Sequence, residues 1–175
     1  MNFIFEQIPA GGDRNFAYLI GDRSNGVCAI VDPSFNPDAV IDRAKAQSLR
    51  VEYIINTHGH TDHINGNARS RQITGAPVAA FKEAMPSPDI AIDNNSRLIV
   101  GSVQLDFFHV PGHANDHIVI WLPDQRIAIT GDILFVGKIG GTSSEKDART
   151  EWNSLHLLLN KLPDDATIWP GHDYG

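Results

Sequence analysis

Three histidines and an aspartate fall within six residues, His58-Gly59-His60-Thr61-Asp62-His63, directly after the apolar run Val51 to Asn56. A strand that ends in such a cluster delivers imidazoles and a carboxylate to one place. Neutral imidazole and carboxylate are the usual protein ligands of Zn²⁺ and similar divalent ions. Gly59 has no side chain and relaxes the backbone, so His58 and His60 can turn toward one ion. Asp62 and His63 follow with almost no slack and can serve an adjacent ion.

Three more polar signals stand after strand-like runs: Pro111-Gly112-His113, Thr130-Gly131-Asp132 and Pro170-Gly171-His172. Each puts one ligand-type residue just beyond apolar residues, with a glycine before it. Strand ends in a layered fold converge on one rim, where sites are commonly built. The seven residues His58, His60, Asp62, His63, His113, Asp132 and His172 suffice for two ions. Three histidines would hold one, Asp62 with two histidines the other, and Asp132 would lie between them. Both sites keep room for a shared water, as open catalytic sites do. Of the remaining histidines, His109 reads as a packing or supporting residue. His117 either supports a ligand or simply begins a strand, and His156 reads as a partly exposed helix residue.

The elements that must hold these residues follow from periodicity and turn composition. Phe3 to Ile8, Phe16 to Ile20 and Val27 to Val31 read as strands. A helix starts at Asn36-Pro37-Asp38, with Val40, Ile41 and Ala44 on one face. After the Val51 to Asn56 strand, one helix is expected from about Asp62 to Ile73, then a strand from Pro77 to Phe81. Lys82 to Arg97 reads as a surface excursion with one short helix. Strands at Leu98 to Val100, Val103 to Val110, Ile118 to Leu122 and Arg126 to Thr130 follow. A glycine-rich loop spans Gly137 to Ser144. A helix from Asp147 to Leu162 offers Trp152, Leu155, Leu158, Leu159 and Leu162 to the core. Thr167 to Trp169 is the last strand. Strands then helix in each half fit two packed sheets with helices outside.

Length and charge bound the function. A chain of 175 residues fits one domain, 1–175, with a real core. Its composition, 42% hydrophobic and 20% charged, is that of a soluble globular protein. A net charge of −7 argues against a general nucleic-acid or anionic-membrane binder. The one cysteine, Cys28, excludes an intrachain disulfide and lies in a run, Val27 to Val31, that reads as buried. The first residues lack a basic region followed by a long apolar run, and no stretch is apolar enough to span a bilayer. The expectation is a cytoplasmic protein acting on a small molecule.

His58-Gly59-His60-Thr61-Asp62-His63, Gly112-His113, Gly131-Asp132 and Gly171-His172 together resemble, in order, the metal-binding motifs of the metallo-β-lactamase-fold hydrolases. The resemblance implies a four-layer αββα sandwich with a dinuclear site at its edge, loaded with two divalent ions, zinc or alternatively iron or manganese. Thr130 to Gly137 and Pro170 to Tyr174 resemble most closely glyoxalase II, a hydroxyacylglutathione hydrolase, and the related persulfide dioxygenases. That implies hydrolysis of a thioester by water activated at the metals, with Asp132 bridging and Asp62 orienting the water. A glutathione ester or an ester of another thiol would be the substrate. It also implies that Tyr174 contacts substrate. A one-iron persulfide dioxygenase and a lactonase-type hydrolase of the same fold are the alternatives. The two families follow the bridging aspartate with Gly-Cys-Gly and a basic residue. Here the run is Gly137-Lys138-Ile139-Gly140-Gly141, so Gly141 stands in the basic position. Lys138 is then either the substitute substrate contact or a solvated loop charge. The C-terminal helical part of a full-length glyoxalase II would lie beyond Gly175.

Overall fold

A computed structural model describes residues 2–174. The elements in chain order are β1 (Phe3–Pro9), β2 (Phe16–Asp22), β3 (Val27–Val31), α1 (Pro37–Ala46), β4 (Arg50–Ile55), α2 (Thr61–Ile64), α3 (Asn67–Thr74), β5 (Val78–Phe81) and β6 (Ile90–Ile92). They continue with β7 (Arg97–Val100), β8 (Val103–His109), β9 (Ile118–Leu122), β10 (Ile127–Gly131), α4 (Glu145–Leu159) and β11 (Thr167–Pro170). Strands β1 to β6 form one sheet in sequence order. The other runs β11-β10-β9-β8-β7. The first is antiparallel from β1 to β3 and parallel from β3 to β6. The second pairs β10 with β11 in parallel and is otherwise antiparallel.

Side-chain alternation explains the layering. In β2, Tyr18 and Ile20 point between the sheets, while Ala17 and Leu19 point toward α1. In β9, Ile118, Ile120 and Leu122 face the inter-sheet core, while Val119 and Trp121 face α4. A strand buried on both faces reads as an unbroken apolar run, and these do. Val40, Ile41 and Ala44 seat α1 on the first sheet, and Leu155 and Leu158 seat α4 on the second. The result is the expected αββα sandwich. Among the described residues, no helix is long and apolar enough to cross a membrane.

Three expectations need correction. The helix from Asp62 to Ile73 is two helices, α2 and α3, parted at Asn65-Gly66. Gly66 lies so close to the Ser34 carbonyl that a Cβ would sit 2.6 Å from it, and the chain turns there against the loop after β3. The excursion after β5 holds no helix; it supplies β6, which pairs in parallel with β5. Finally, Trp152 and Leu159 are exposed, on the outer face of α4. The helix starts earlier, at the Ser144 cap, and its apolar stripe runs through Leu155 and Leu158.

The far end of the sandwich from the ligand loops is closed by Asp22. Its buried carboxylate accepts from the amides of Ser24 and Ser102, the Ser102 hydroxyl and the Asn25 amide side chain. It thus joins the β2–β3 turn to the β7–β8 turn. Those donors, the Ser102 hydroxyl above all, hold the Asp22 carboxyl well below the usual carboxylate range. A lowered folded-state pKa contributes stability above the ordinary value of 3.8 that is lost as pH falls below it. Asp22→Ala should therefore lower the Tm by several degrees at pH 7, with the gap to wild type closing in melts run progressively below pH 3.8.

Candidate metal centre

All seven ligand-type residues come to one edge of the sandwich, each just beyond a strand. His58, His60, Asp62 and His63 follow β4, His113 follows β8, Asp132 follows β10 and His172 follows β11. Parallel pairing does part of the positioning. Val31 opposite Ile55 brings the ends of β3 and β4 together, and Gly131 opposite Pro170 does the same for β10 and β11.

The ring nitrogens form two adjoining groups. His60 Nδ1 lies 2.9 Å from His58 Nε2 and 3.1 Å from His113 Nε2. His63 Nε2 and His172 Nε2 lie 3.4 and 3.3 Å from Asp62 Oδ2. Asp132 stands between the groups, with Oδ1 3.4 Å from His63 Nε2 and Oδ2 3.2 Å from His172 Nε2 and 3.6 Å from His113 Nε2. The potential donor atoms of His58, His60 and His113 lie within 4.8 Å of one another, and so do those of Asp62, His63 and His172. His58, His63 and Asp132 form a third such trio across the middle.

Outer partners orient the rings. His63 Nδ1 faces Asp32 Oδ2 at 3.1 Å, His113 Nδ1 faces the Gly141 carbonyl at 2.8 Å, and His172 Nδ1 faces the Asp13 carbonyl at 2.8 Å. The Thr57 hydroxyl donates to Asp32 at 2.6 Å and lies 3.0 Å from His58 Nδ1. Carboxylate and carbonyl oxygens only accept, so each Nδ1 of His63, His113 and His172 carries a proton and each Nε2 is turned inward, where a metal would take its lone pair. Thr57 assigns His58 the same tautomer, because its own proton is committed to Asp32. This is the outer arrangement that metal-ligating histidines have.

Two of the inward atoms are left without hydrogen-bond partners. His63 Nε2 and Asp132 Oδ1 are buried and make no hydrogen bond among the described residues. A buried unsatisfied polar atom is costly, and two facing each other call for a cation between them. Three imidazole nitrogens and a carboxylate-rich second group are the donor chemistry of Zn²⁺ or a similar divalent ion. The cluster fits divalent metal binding on this ground.

Charge divides the two groups. Burial, then the neighbouring imidazoles, holds His58 well below its ordinary pKa, and burial likewise lowers His60. Burial also works against charge on His63 and His172, but Asp132 with Asp32 raises His63 to about 10, and Asp132 with Asp62 raises His172 to about 9. A hydrogen bond from His172 holds Asp62 well below the usual carboxylate range; for Asp132, burial is outweighed by His172 and His63. The second group therefore binds protons where a cation would sit.

Several supporting residues gave little or no signal in the sequence. Asp32, just beyond the Val27 to Val31 run, is buried and accepts from the Thr57 amide at 2.9 Å and the Thr57 hydroxyl. Asn15, in a turn after β1, donates to Asp62 Oδ2 at 2.9 Å. His117 is buried; its Nε2 accepts from the Asp132 amide at 3.0 Å and its ring stacks on His58. Burial holds it neutral, with a pKa of about 3. His109 is a packing residue, stacked on Phe81 with centroids 3.8 Å apart. Glu151 on α4 is buried, and burial pushes its carboxyl up to about 7. Asp32 could have been suspected as a lone acid directly after an apolar run.

Tyr174 stacks on His172 with centroids 4.7 Å apart, and its hydroxyl donates to Asp13 at 2.6 Å. Lys138 Nζ sits 4.0 Å over the Tyr174 ring, and Arg14 lies over the same ring at 4.9 Å. Two cations therefore border the His172 side of the centre. The acids Glu83, Asp116 and Asp147 line the opening on the His60 and His113 side.

Two outcomes follow. Because a metal must displace protons from His63 and His172, metal addition at pH 7.5 should release protons, and affinity should climb with pH toward 9 to 10. Calorimetry in buffers of different ionisation enthalpy reads this, and no proton release would contradict the geometry. Asp32→Ala should weaken metal affinity by about 10- to 100-fold, the usual effect of removing an outer partner.

Comparison with known proteins agrees with this geometry. The family model described as the metallo-beta-lactamase superfamily matches residues 10–92 and 83–172. The hydroxyacylglutathione hydrolase of Pelagibacter ubique is 33% identical over 167 residues, covering 91% of this chain and 67% of that protein. The human mitochondrial persulfide dioxygenase ETHE1 is 32% identical over 164 residues, covering 91% of this chain and 64% of that protein. The chain spans about two thirds of the length of the curated relatives it matches. The crystal structure of ETHE1 from Myxococcus xanthus superposes with a TM-score of 0.90 at 28% identity, covering 98% of this chain and 76% of that one. With its motifs, its sandwich and its converging ligands, the chain belongs to the metallo-β-lactamase superfamily.

Proposed function

We propose that residues 1–175 form one metal-dependent hydrolase domain that cleaves a small-molecule thioester in the cytoplasm, using two divalent ions, with zinc as the resident metal. The observation that carries this reading is the set of inward-facing Nε2 atoms whose outer nitrogens are already bonded, together with the orphaned Asp132 Oδ1. His58, His60 and His113 would hold one ion, and Asp62, His63 and His172 the other, with Asp132 shared. Such ions lower the pKa of water toward 7 and polarise a carbonyl.

The chain's own groups do the rest. Asp62, the more exposed of the two carboxylates, orients the attacking water. The water oxygen bonds to the carbonyl carbon, the C–S bond breaks, and its electron pair leaves on sulfur. The products are a carboxylic acid, ionised at neutral pH, and a thiol. A thiol pKa near 8.5 makes sulfur a good leaving group, so the reaction needs no serine or cysteine nucleophile. Cys28 is unsuited to that role in any case: burial pushes its thiol up to about 12. Tyr174, Lys138 and Arg14 supply the apolar face and positive charge for the thiol half, a glutathione or another small anionic thiol.

Assay of zinc-loaded protein with small thioesters tests the reading. Asp132→Ala should remove metal and turnover together. Fast oxygen uptake on a persulfide by the iron-loaded protein, with no thioester cleavage, would replace it with the dioxygenase activity named for the human relative. Gly141 has open space around its Cα, so a side chain there is sterically admissible. Gly141→Arg should raise kcat/KM for a glutathione thioester relative to an uncharged one by about tenfold, mainly through KM.

A further inference from the structure

Beside the centre lies a second cavity of ≈ 390 Å³, within the size range of small-molecule sites. It runs between α3, the ends of β4 and β5, and the segment 84–89. We propose that it is an acyl pocket, which takes the unbranched aliphatic chain of a thioester whose carbonyl lies at His58, His60 and His113. This rests on the thioester reading and specifies its substrate class.

Continuity with the centre is the first argument. His58 forms part of the cavity wall, and Gly59 and Met85 border both this cavity and the opening onto His60 and His113. Gly59 has no side chain to close the junction. Met85, 74% exposed, is an unbranched thioether at the rim that can adapt to a chain passing it.

The lining chemistry is the second. Ala68, Ala80 and Ala84 leave the space, and Ile64 and Val78 make it apolar. Four of the polar residues on its walls are paired with one another, and Asn65 and Ser87 complete the polar lining. Asn56 and Asn67 exchange side-chain amide bonds of 3.2 and 2.7 Å. Arg71 is paired with Asp89 at 2.8 Å, and Asp89 also accepts the Val78 amide. Self-paired polar groups offer little to a polar ligand, so the pocket selects a chain of methylenes.

Charge sets the direction. The anionic thiol half belongs with Arg14 and Lys138 beside Tyr174, on the His172 side. Glu83, Asp116 and Asp147 repel it from the opposite side, which leaves the cavity by His58 to the acyl half.

The test uses acetyl, butyryl, hexanoyl and octanoyl esters of one thiol with zinc-loaded protein, and acetyl esters of thiols of matching lengths. At about 0.8 kcal/mol per buried methylene, kcat/KM should rise roughly two-hundredfold over the four methylenes from acetyl to hexanoyl. Ala84→Leu and Ala68→Leu, each checked for folding by circular dichroism, should cut the hexanoyl-to-acetyl ratio about tenfold or more. A flat acyl series, or a gain confined to the thiol series, overturns the proposal. Binding of octanoate to metal-free protein, read from the methyl signals of Met85 and Ala68 by NMR, is independent of turnover. Octanoate binding at these methyls without thioester cleavage would keep the pocket and discard the hydrolase reading. Cleavage without chain-length dependence or octanoate binding would keep the hydrolase and discard the pocket.

Discussion

The buried Asp32 carboxylate fixes where the ligand loops can go. It sits at the end of β3 and accepts the amide and hydroxyl of Thr57 with His63 Nδ1. One group thereby ties the ends of two parallel strands and orients two rings, His63 directly and His58 through Thr57. A buried carboxylate is tolerated only when its oxygens are satisfied, and these are satisfied by groups that must then stay in place. Its φ of 45° is unusual for a residue with a side chain, and the surrounding bonds hold it there. Geometry at the metals thus begins one step behind the ligands.

The same logic recurs on the second sheet. His117 accepts the Asp132 amide and stacks on His58, which couples the central carboxylate to the first histidine group. Asn15 reaches Asp62 from the loop after β1, and Asp13 of that loop receives His172 through its carbonyl and Tyr174 through its side chain. Gly171 lies so near Asp132 that any side chain there would overlap its carboxylate. Asp62, His63, His113, Asp132 and His172 are therefore each held by a residue distant in the chain, and the centre forms only when both sheets are packed.

What the sequence discloses depends on how local the signal is. The unbroken apolar runs of β2 and β9, the turn glycines and the ligand cluster after β4 are local, and they place the sandwich and all seven ligand-type residues at one edge. Asp32 and Asn15 act across 31 and 47 residues, with no spacing to reveal them. The break at Gly66 depends on the approach of the loop around Ser34, so an otherwise helical stretch conceals it. Trp152 and Leu159 are apolar yet lie on the outer face of α4, while Leu155 and Leu158 meet the second sheet, and hydrophobicity alone does not report which side of a helix is covered.

The glycine-rich loop shows why chemistry and specificity can change separately here. Its support of the centre is made by a backbone group: the Gly141 carbonyl accepts from His113. Its ends are fixed by Asp132 and by the reciprocal Ser144–Asp147 cap of α4. Gly140 has no room for a side chain beside His113 and Asp132, whereas Gly141 faces open space. A basic residue is thus absent at Gly141 for no steric reason, and exchanging it leaves the support of His113 intact. Positive charge enters instead from Lys138 and Arg14 over Tyr174. The scaffold fixes the reacting centre through main-chain bonds and leaves the choice of substrate to side chains on its rim.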